Sequence, residues 1–139
     1  MILVDTGFWL ALANRRDLHH EIARSRLESL EDPLVTTWPV VTETCHLLLK
    51  RLGNNAQERF LEGLAARAFD VFSLESSHGP RLVELMRKYR DLPMDLADAS
   101  LVLLAETLGH GRILSTDQRD FGAYRWKNRE PFENLLLSG

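Results

Sequence analysis

Short apolar runs alternate along this chain with stretches of helical periodicity, and the alternation predicts the fold. Residues 2–5, Ile-Leu-Val-Asp, read as a buried strand that ends in an acid. Thr6 and Gly7 turn the chain into a short apolar helix from Phe8 to Ala13, which Asn14, Arg15 and Arg16 interrupt. Asp17 is placed to cap a second helix with Ile22, Leu27 and Leu30 on its inner side, stopped by Asp32 and Pro33. Residues 34–37 are β-branched in character, lie between two prolines and predict a second strand. Pro39 suits the first turn of a helix that ends near Leu52, with Gly53 beyond it and Val41, Cys45, Leu48, Leu49 and Leu52 as its buried stripe.

Asn54 and Asn55 cap a further helix that runs to about Arg67. Phe69 to Leu74 alternates as a third strand, and Ser76 and Ser77 open a helix covering Leu82 to Tyr89. The pattern over residues 94–108 is apolar on nearly every side, which predicts a helix buried against a sheet. After the turn at Gly109, His110 and Gly111, residues 112–115 form a fourth strand. Tyr124 to Trp126 adds an edge strand, and residues 128–139 carry no clear pattern. Strands alternating with helices imply a three-layer α/β/α sandwich with a short, mainly parallel sheet. A chain of 139 residues is expected to form one domain, spanning 1–139.

Composition narrows the class only a little. An apolar fraction of 45% and a charged fraction of 27% are globular values. No apolar run approaches the roughly 20 residues of a membrane span, and no leader-like segment precedes the first strand, so a cytoplasmic, membrane-free protein is expected. Cys45 alone makes neither a disulfide nor a cysteine metal site and reads as a small helix residue. The net charge of −3 argues against coating nucleic acid non-specifically, yet leaves a nuclease open because a cation can neutralise local acids.

The chemistry concentrates in the acids. Ile2 to Asp5 and Ile113 to Asp117 share one grammar, apolar residues followed by an Asp beyond the strand's carboxyl end. In open α/β sheets ligands bind outside those ends, so Asp5 and Asp117 are expected on one rim. Glu43 shares a helical face with Val40 and Leu47, and Asp98 shares one with Leu101, Val102 and Ala105, so both carboxylates start from core-facing stripes. Asp95, three residues before Asp98, reads as a helix cap or as a fifth ligand. Asp120 reads as a cap for the turn before Phe121. Such a group cannot stay ionised without a cation, and hard oxygen donors suit Mg2+ or Mn2+. Sites of this kind bind phosphate oxygens and activate water, which points to phosphodiester hydrolysis. No glycine-rich phosphate loop, nucleophile elbow or histidine cluster competes with it.

The other polar and aromatic features have plainer readings. His19 and His20 read as a solvated pair, His46 as structural or surface, and the basic runs around Arg87 and Arg125 as solvated faces. Arg119 and Arg125 are close enough in sequence to Asp117 to contact phosphate. Phe8, Trp9 and Trp38 follow strand ends, where core packing is the simpler expectation than a place in the cleft.

Four motifs in register then resemble PIN-domain ribonucleases, in particular VapC-type toxins of toxin–antitoxin pairs. They are Val4-Asp5-Thr6-Gly7, Thr42-Glu43-Thr44, Leu92 to Ala99 with its apolar helix, and Ile113 to Phe121. The resemblance implies a Mg2+- or Mn2+-dependent endoribonuclease whose acidic quartet is Asp5, Glu43, Asp98 and Asp117, with Asp95 as an additional acid. It implies supporting roles for Thr6, Ser115 and Thr116, a homodimer, and silencing by an antitoxin protein whose tail enters the cleft. It also implies products with a 3′-hydroxyl and a 5′-phosphate. Two other functions remain open: a catalytically silent binding module on the same fold, and a housekeeping RNA-processing or DNA-directed nuclease.

Overall fold

A computed structural model describes residues 1–137, so the last two positions of the expected domain, 138 and 139, lie outside the described residues. The central sheet has five strands: β1 (Ile2–Val4), β2 (Leu34–Thr37), β3 (Asp70–Phe72), β4 (Arg112–Leu114) and, after two further short strands named below, β7 (Glu133–Asn134). Their order is β3-β2-β1-β4-β7, and every neighbouring pair is parallel. β1 and β4, the strands that precede Asp5 and Asp117, are neighbours in register Leu3 to Ile113 and Val4 to Leu114. All of β1 and, in β4, Ile113 and Leu114 are buried, as apolar strand residues covered on two faces must be.

The helices are α1 (Thr6–Ala13), α2 (His20–Ser29), α3 (Trp38–Leu52), α4 (Asn54–Ala65), α5 (Gly79–Lys88), α6 (Leu96–Leu108) and α7 (Gln118–Ala123). α6 is the expected buried helix: residues 99–105 are all buried, and it packs against β1 and β2 as well as α3 and α5. Gly109 ends it at φ 78, in the left-handed region that glycine enters without strain.

Several expectations require correction. α1 begins at Thr6 rather than Phe8, because the Asp5 side chain accepts from the Thr6 amide and starts the helix there. Asp17 caps the turn ahead of α2 through the His19 amide, and α2 itself starts at His20 without a side-chain cap. Its buried contact is Ala23, while Ile22 and Leu27 are exposed; the small side chain lets α2 approach α1 closely. The buried stripe of α3 runs through Val40, Val41, Thr44 and Leu48, leaving Leu49 and Leu52 exposed. His20 is no solvated residue: its Nδ1 lies 2.7 Å from the Ala11 carbonyl oxygen and ties α2 to α1.

The C-terminal third differs most. α7 was not expected, and the segment at Tyr124–Trp126 is not an edge of the main sheet. Instead β5 (Arg125–Trp126) pairs antiparallel with β6 (Glu130–Pro131) as a separate hairpin. Its turn places Lys127 at φ 50 and Asn128 at φ 64, the two left-handed positions that suit a tight hairpin. Arg81 on α5 holds this hairpin down by bonding both Glu106 oxygens (3.1 and 2.7 Å) and Asn128 Oδ1 (3.1 Å).

Candidate active site

Three of the acids named from the sequence start helices. Asp5 caps α1 through the Thr6 amide (2.7 Å), Asp95 caps α6 through the Asp98 amide (2.8 Å), and Asp117 caps α7 through the Asp120 amide (2.9 Å). A helix start favours a carboxylate twice, by direct hydrogen bonding and through the dipole. Each cap engages one oxygen with its helix. Asp98 lies in the first turn of α6, and Glu43 lies half-buried early in α3.

The second oxygen of Asp5 and one oxygen of Asp98 have partners of their own. Ser115 Oγ donates to Asp5 Oδ2 at 3.0 Å and accepts from the Asp117 amide at 3.0 Å, so one hydroxyl links the ends of β1 and β4. Asn134 on β7 brackets Ser115, its Oδ1 accepting from the Ser115 amide (3.3 Å) and its Nδ2 donating to the Ser115 carbonyl (2.9 Å). Tyr124 is fully buried and donates to Asp98 Oδ2 at 3.1 Å. Tyr89 meets the Tyr124 ring edge-on at 5.0 Å and accepts from the Arg125 amide at 2.8 Å, fixing Tyr124 from both sides.

Further hydroxyls join the elements that carry the acids. Thr36 Oγ1 donates to the Val4 carbonyl (2.8 Å), just before Asp5. Thr37 caps α3 and meets Ser100 Oγ at 2.6 Å, which in turn donates to Ala97 O (2.7 Å). The Glu43 helix is thereby locked to the Asp98 helix. Gly7 lets the loop after β4 close over α1: a Cβ there would stand 1.9 Å from Thr116 Oγ1.

Electrostatics show which acids feel one another. Asp5 is pushed up to about 6, first by burial, then by the charges of Glu43 and Asp117, against the lowering effect of the Thr6 and Ser115 hydrogen bonds. Asp98 is pushed up to about 8, first by burial, then by Asp95 and Asp5. Burial, followed by the hydrogen bond and charge of Asp117, also raises Asp120. Burial and the neighbouring Asp98 push the Tyr124 phenol above its ordinary range. No ion pair among the described residues neutralises any of the five acids Asp5, Glu43, Asp95, Asp98 and Asp117. Among the described residues, no group of three His, Cys, Asp or Glu side chains stands ready to hold a metal ion as placed.

The secondary candidates divide. Thr6 Oγ1 is buried beside Asp5 with no hydrogen-bond partner, and Asp120 Oδ1 is likewise buried beside Asp117 without a hydrogen bond. Arg119 is 80% exposed and pairs with Asp120 at 3.6 Å. The Arg125 guanidinium bonds the Gly122 and Tyr124 carbonyls. Phe8 and Trp9 are core residues, Trp9 packing on Phe60 and Phe69. Trp38 overturns the core expectation, for it is 46% exposed. Thr36, Thr37, Ser100, Tyr124 and Asn134 were not expected at the site from the sequence. Only the hydroxyls of the otherwise apolar strand at 34–37 offered a signal.

The PIN domain family profile matches residues 2–127. Over 124 residues the chain is 29% identical to Ribonuclease VapC26 of Mycobacterium tuberculosis, covering 89% of this chain and 92% of that relative. A more local similarity, 41% identity over 56 residues, joins 40% of this chain to 43% of the 23S rRNA-specific endonuclease VapC20 of the same organism. The fold is also similar to the crystal structure of Mycobacterium tuberculosis VapC20, described as a sarcin–ricin loop cleaving toxin. That match has a TM-score of 0.81 at 21% identity and covers 90% of this chain and 97% of the other. With the profile running from the first residue of β1 to the turn of the hairpin, the chain belongs to the PIN domain family.

Proposed function

We propose that this protein is a metal-dependent endoribonuclease that hydrolyses RNA phosphodiester bonds and serves as the toxin of a toxin–antitoxin pair. The observation that carries the reading is the set of acids that no ion pair neutralises, with Asp5 raised to about 6 and Asp98 to about 8 by burial and by their acidic neighbours. Carboxyls raised by burial and by one another's charge are a signature of functional sites, and every donor here is a hard oxygen. A divalent ion would relieve the repulsion that Asp5 feels from Glu43 and Asp117, and that Asp98 feels from Asp95 and Asp5. The residues therefore fit Mg2+ or Mn2+ in charge and chemistry.

Asp5 and Asp98 are the principal ligands in this reading, and Asp117 and Glu43 complete the set. Held by these carboxylates, Mg2+ or Mn2+ would supply positive charge for the phosphate oxygens and would lower the pKa of water. The chain's own residues do the positioning. Ser115 fixes the Asp5 carboxylate, Tyr124 fixes that of Asp98, and the Thr37–Ser100 link ties the Glu43 helix to the Asp98 helix. Glu43 orients the attacking water. Cleavage leaves a 3′-hydroxyl on one product and a 5′-phosphate on the other. A homodimer and a small antitoxin partner complete the proposal, and the 23S rRNA named for one relative is the first substrate to try.

The test is cleavage of RNA by the purified protein with Mg2+ or Mn2+, with EDTA, and by Asp5→Asn and Asp98→Asn. Cutting should require the ion and both acids, and expression of the wild type alone should arrest growth. Cleavage that persists in EDTA, or in both variants, would sink the reading. RNA that is bound but stays uncut across both metals would instead indicate a silent binding module.

A further inference from the structure

The chemistry above leaves Trp38 unexplained. It follows β2 directly, and its indole N–H donates to Ser73 Oγ at 3.1 Å, just beyond the end of β3. The ring is thereby anchored at the carboxyl ends of two adjacent strands. It shares the sheet edge with Asp5 but lies toward its β3 end, as the order β3-β2-β1-β4-β7 requires. Beside it runs an open groove of about 640 Å³, lined by Trp38, Pro39, Leu74 and Leu96 together with Glu43 and Asp95. Leu96, the first residue of α6, is 45% exposed. An apolar slot thus opens directly beside Glu43 and Asp95.

We propose that this slot holds an unpaired base of the RNA substrate, stacked on Trp38 beside Leu96, while the scissile phosphate lies at the carboxylates. The inference rests on the ribonuclease reading. Besides the two carboxylates the groove is lined by His46 and by no Lys or Arg, so it offers phosphate no permanent cation and suits a neutral, flat group. Every base offers such a face, and exposed aromatic rings bind single strands by stacking. The Ser73 hydrogen bond fixes the ring in advance, which lowers the ordering cost of binding. A second copy of the chain is the rival occupant. A two-fold contact centred here would set Glu43 and Asp95 of one copy against the same acids of the other, and like charges oppose it.

The test is steady-state cleavage of a short single-stranded RNA and of variants carrying one abasic position each, with Mg2+ present. Trp38→Ala should raise KM about 10-fold with kcat nearly unchanged, while Trp38→Phe retains most of the affinity. The wild type should lose about 10-fold at one abasic position, and Trp38→Ala should be insensitive there, as two changes to one contact must be. Leu96→Ala gives a second variant with a smaller rise in KM, and RNA should quench the Trp38 fluorescence of the wild type. An unchanged KM and an unchanged abasic profile in Trp38→Ala would overturn the proposal. So would a Trp38→Ala protein that sediments as a smaller species while cutting RNA normally, which assigns the slot to a second copy. If the wild type itself cuts no RNA, the ribonuclease reading fails and this inference fails with it. If the wild type cuts and the variants match it, only this inference fails.

Discussion

Asp5→Asn should make the metal-free protein more stable, not less. A carboxyl that titrates near 6 instead of 3.8 costs the fold roughly 3 kcal/mol once ionised, at about 1.4 kcal/mol per pH unit. Asparagine removes that charge and keeps an oxygen for the Thr6 amide. Its amide group, however, faces Ser115 Oγ, which already accepts from the Asp117 amide and loses its own acceptor. That loss takes back about 1 kcal/mol, leaving a gain near 2 kcal/mol. For 139 residues this corresponds to a rise in Tm of about 7 °C. The pH dependence follows from the direction of the shift. Below about pH 4 the carboxyl is protonated in both folded and unfolded chains, so the two proteins converge apart from the Ser115 effect. Between about 4 and 6 the folded wild type holds the extra proton, its stability falls as pH rises, and the gap opens to its full size. Urea denaturation in EDTA across this range measures it. Saturating Mn2+ should invert the order, since ion at about 100 times its Kd adds roughly 2.7 kcal/mol to the wild type alone. A variant no more stable than the wild type at neutral pH in EDTA, or a gap that widens toward acid, would refute the reasoning.

Other outcomes follow from the same geometry. Tyr124→Phe should weaken Mn2+ binding by about 10-fold with little change in fold, as losing a partner that orients a ligand does; calorimetric titration reads it, and unaltered affinity counts against the Tyr124 role. Gly7→Ala should cost roughly 1–3 kcal/mol and most of the activity, because its methyl would meet Thr116 Oγ1; adding Thr116→Ala should restore much of both, and no rescue would place the strain elsewhere. Mn2+ affinity should climb between pH 6 and 8, as protons on Asp5 and Asp98 compete with the ion, and then level off; a flat profile over that range would contradict the raised carboxyls.

The sheet, its parallel character and the buried helix were legible because apolar periodicity is a local signal. So was the placement of Asp5 and Asp117 beyond the carboxyl ends of neighbouring strands. The boundaries slipped where an acid acts as a cap, because a strand-ending Asp and a helix-starting Asp are the same letter. The strand at Glu133–Asn134 was invisible for a different reason: it is two residues long and polar, and it exists because β4 offers it an edge. Tyr124 escaped notice because its hydroxyl meets Asp98 only after α7 and the hairpin have folded back on α6. Trp38 misled because an aromatic beside a strand normally belongs inside, and only the Ser73 bond explains a tryptophan held at the surface.

The Ser115–Asp5 hydrogen bond joins residues 110 positions apart, and Asn134 must then bracket Ser115. During synthesis the amino-terminal acids emerge long before the groups that orient them. A nascent chain carrying Asp5, Glu43 and even Asp98 still lacks Ser115, Asp117 and Tyr124. The acids therefore reach their hydrogen-bonded arrangement only after almost all the described residues have been translated.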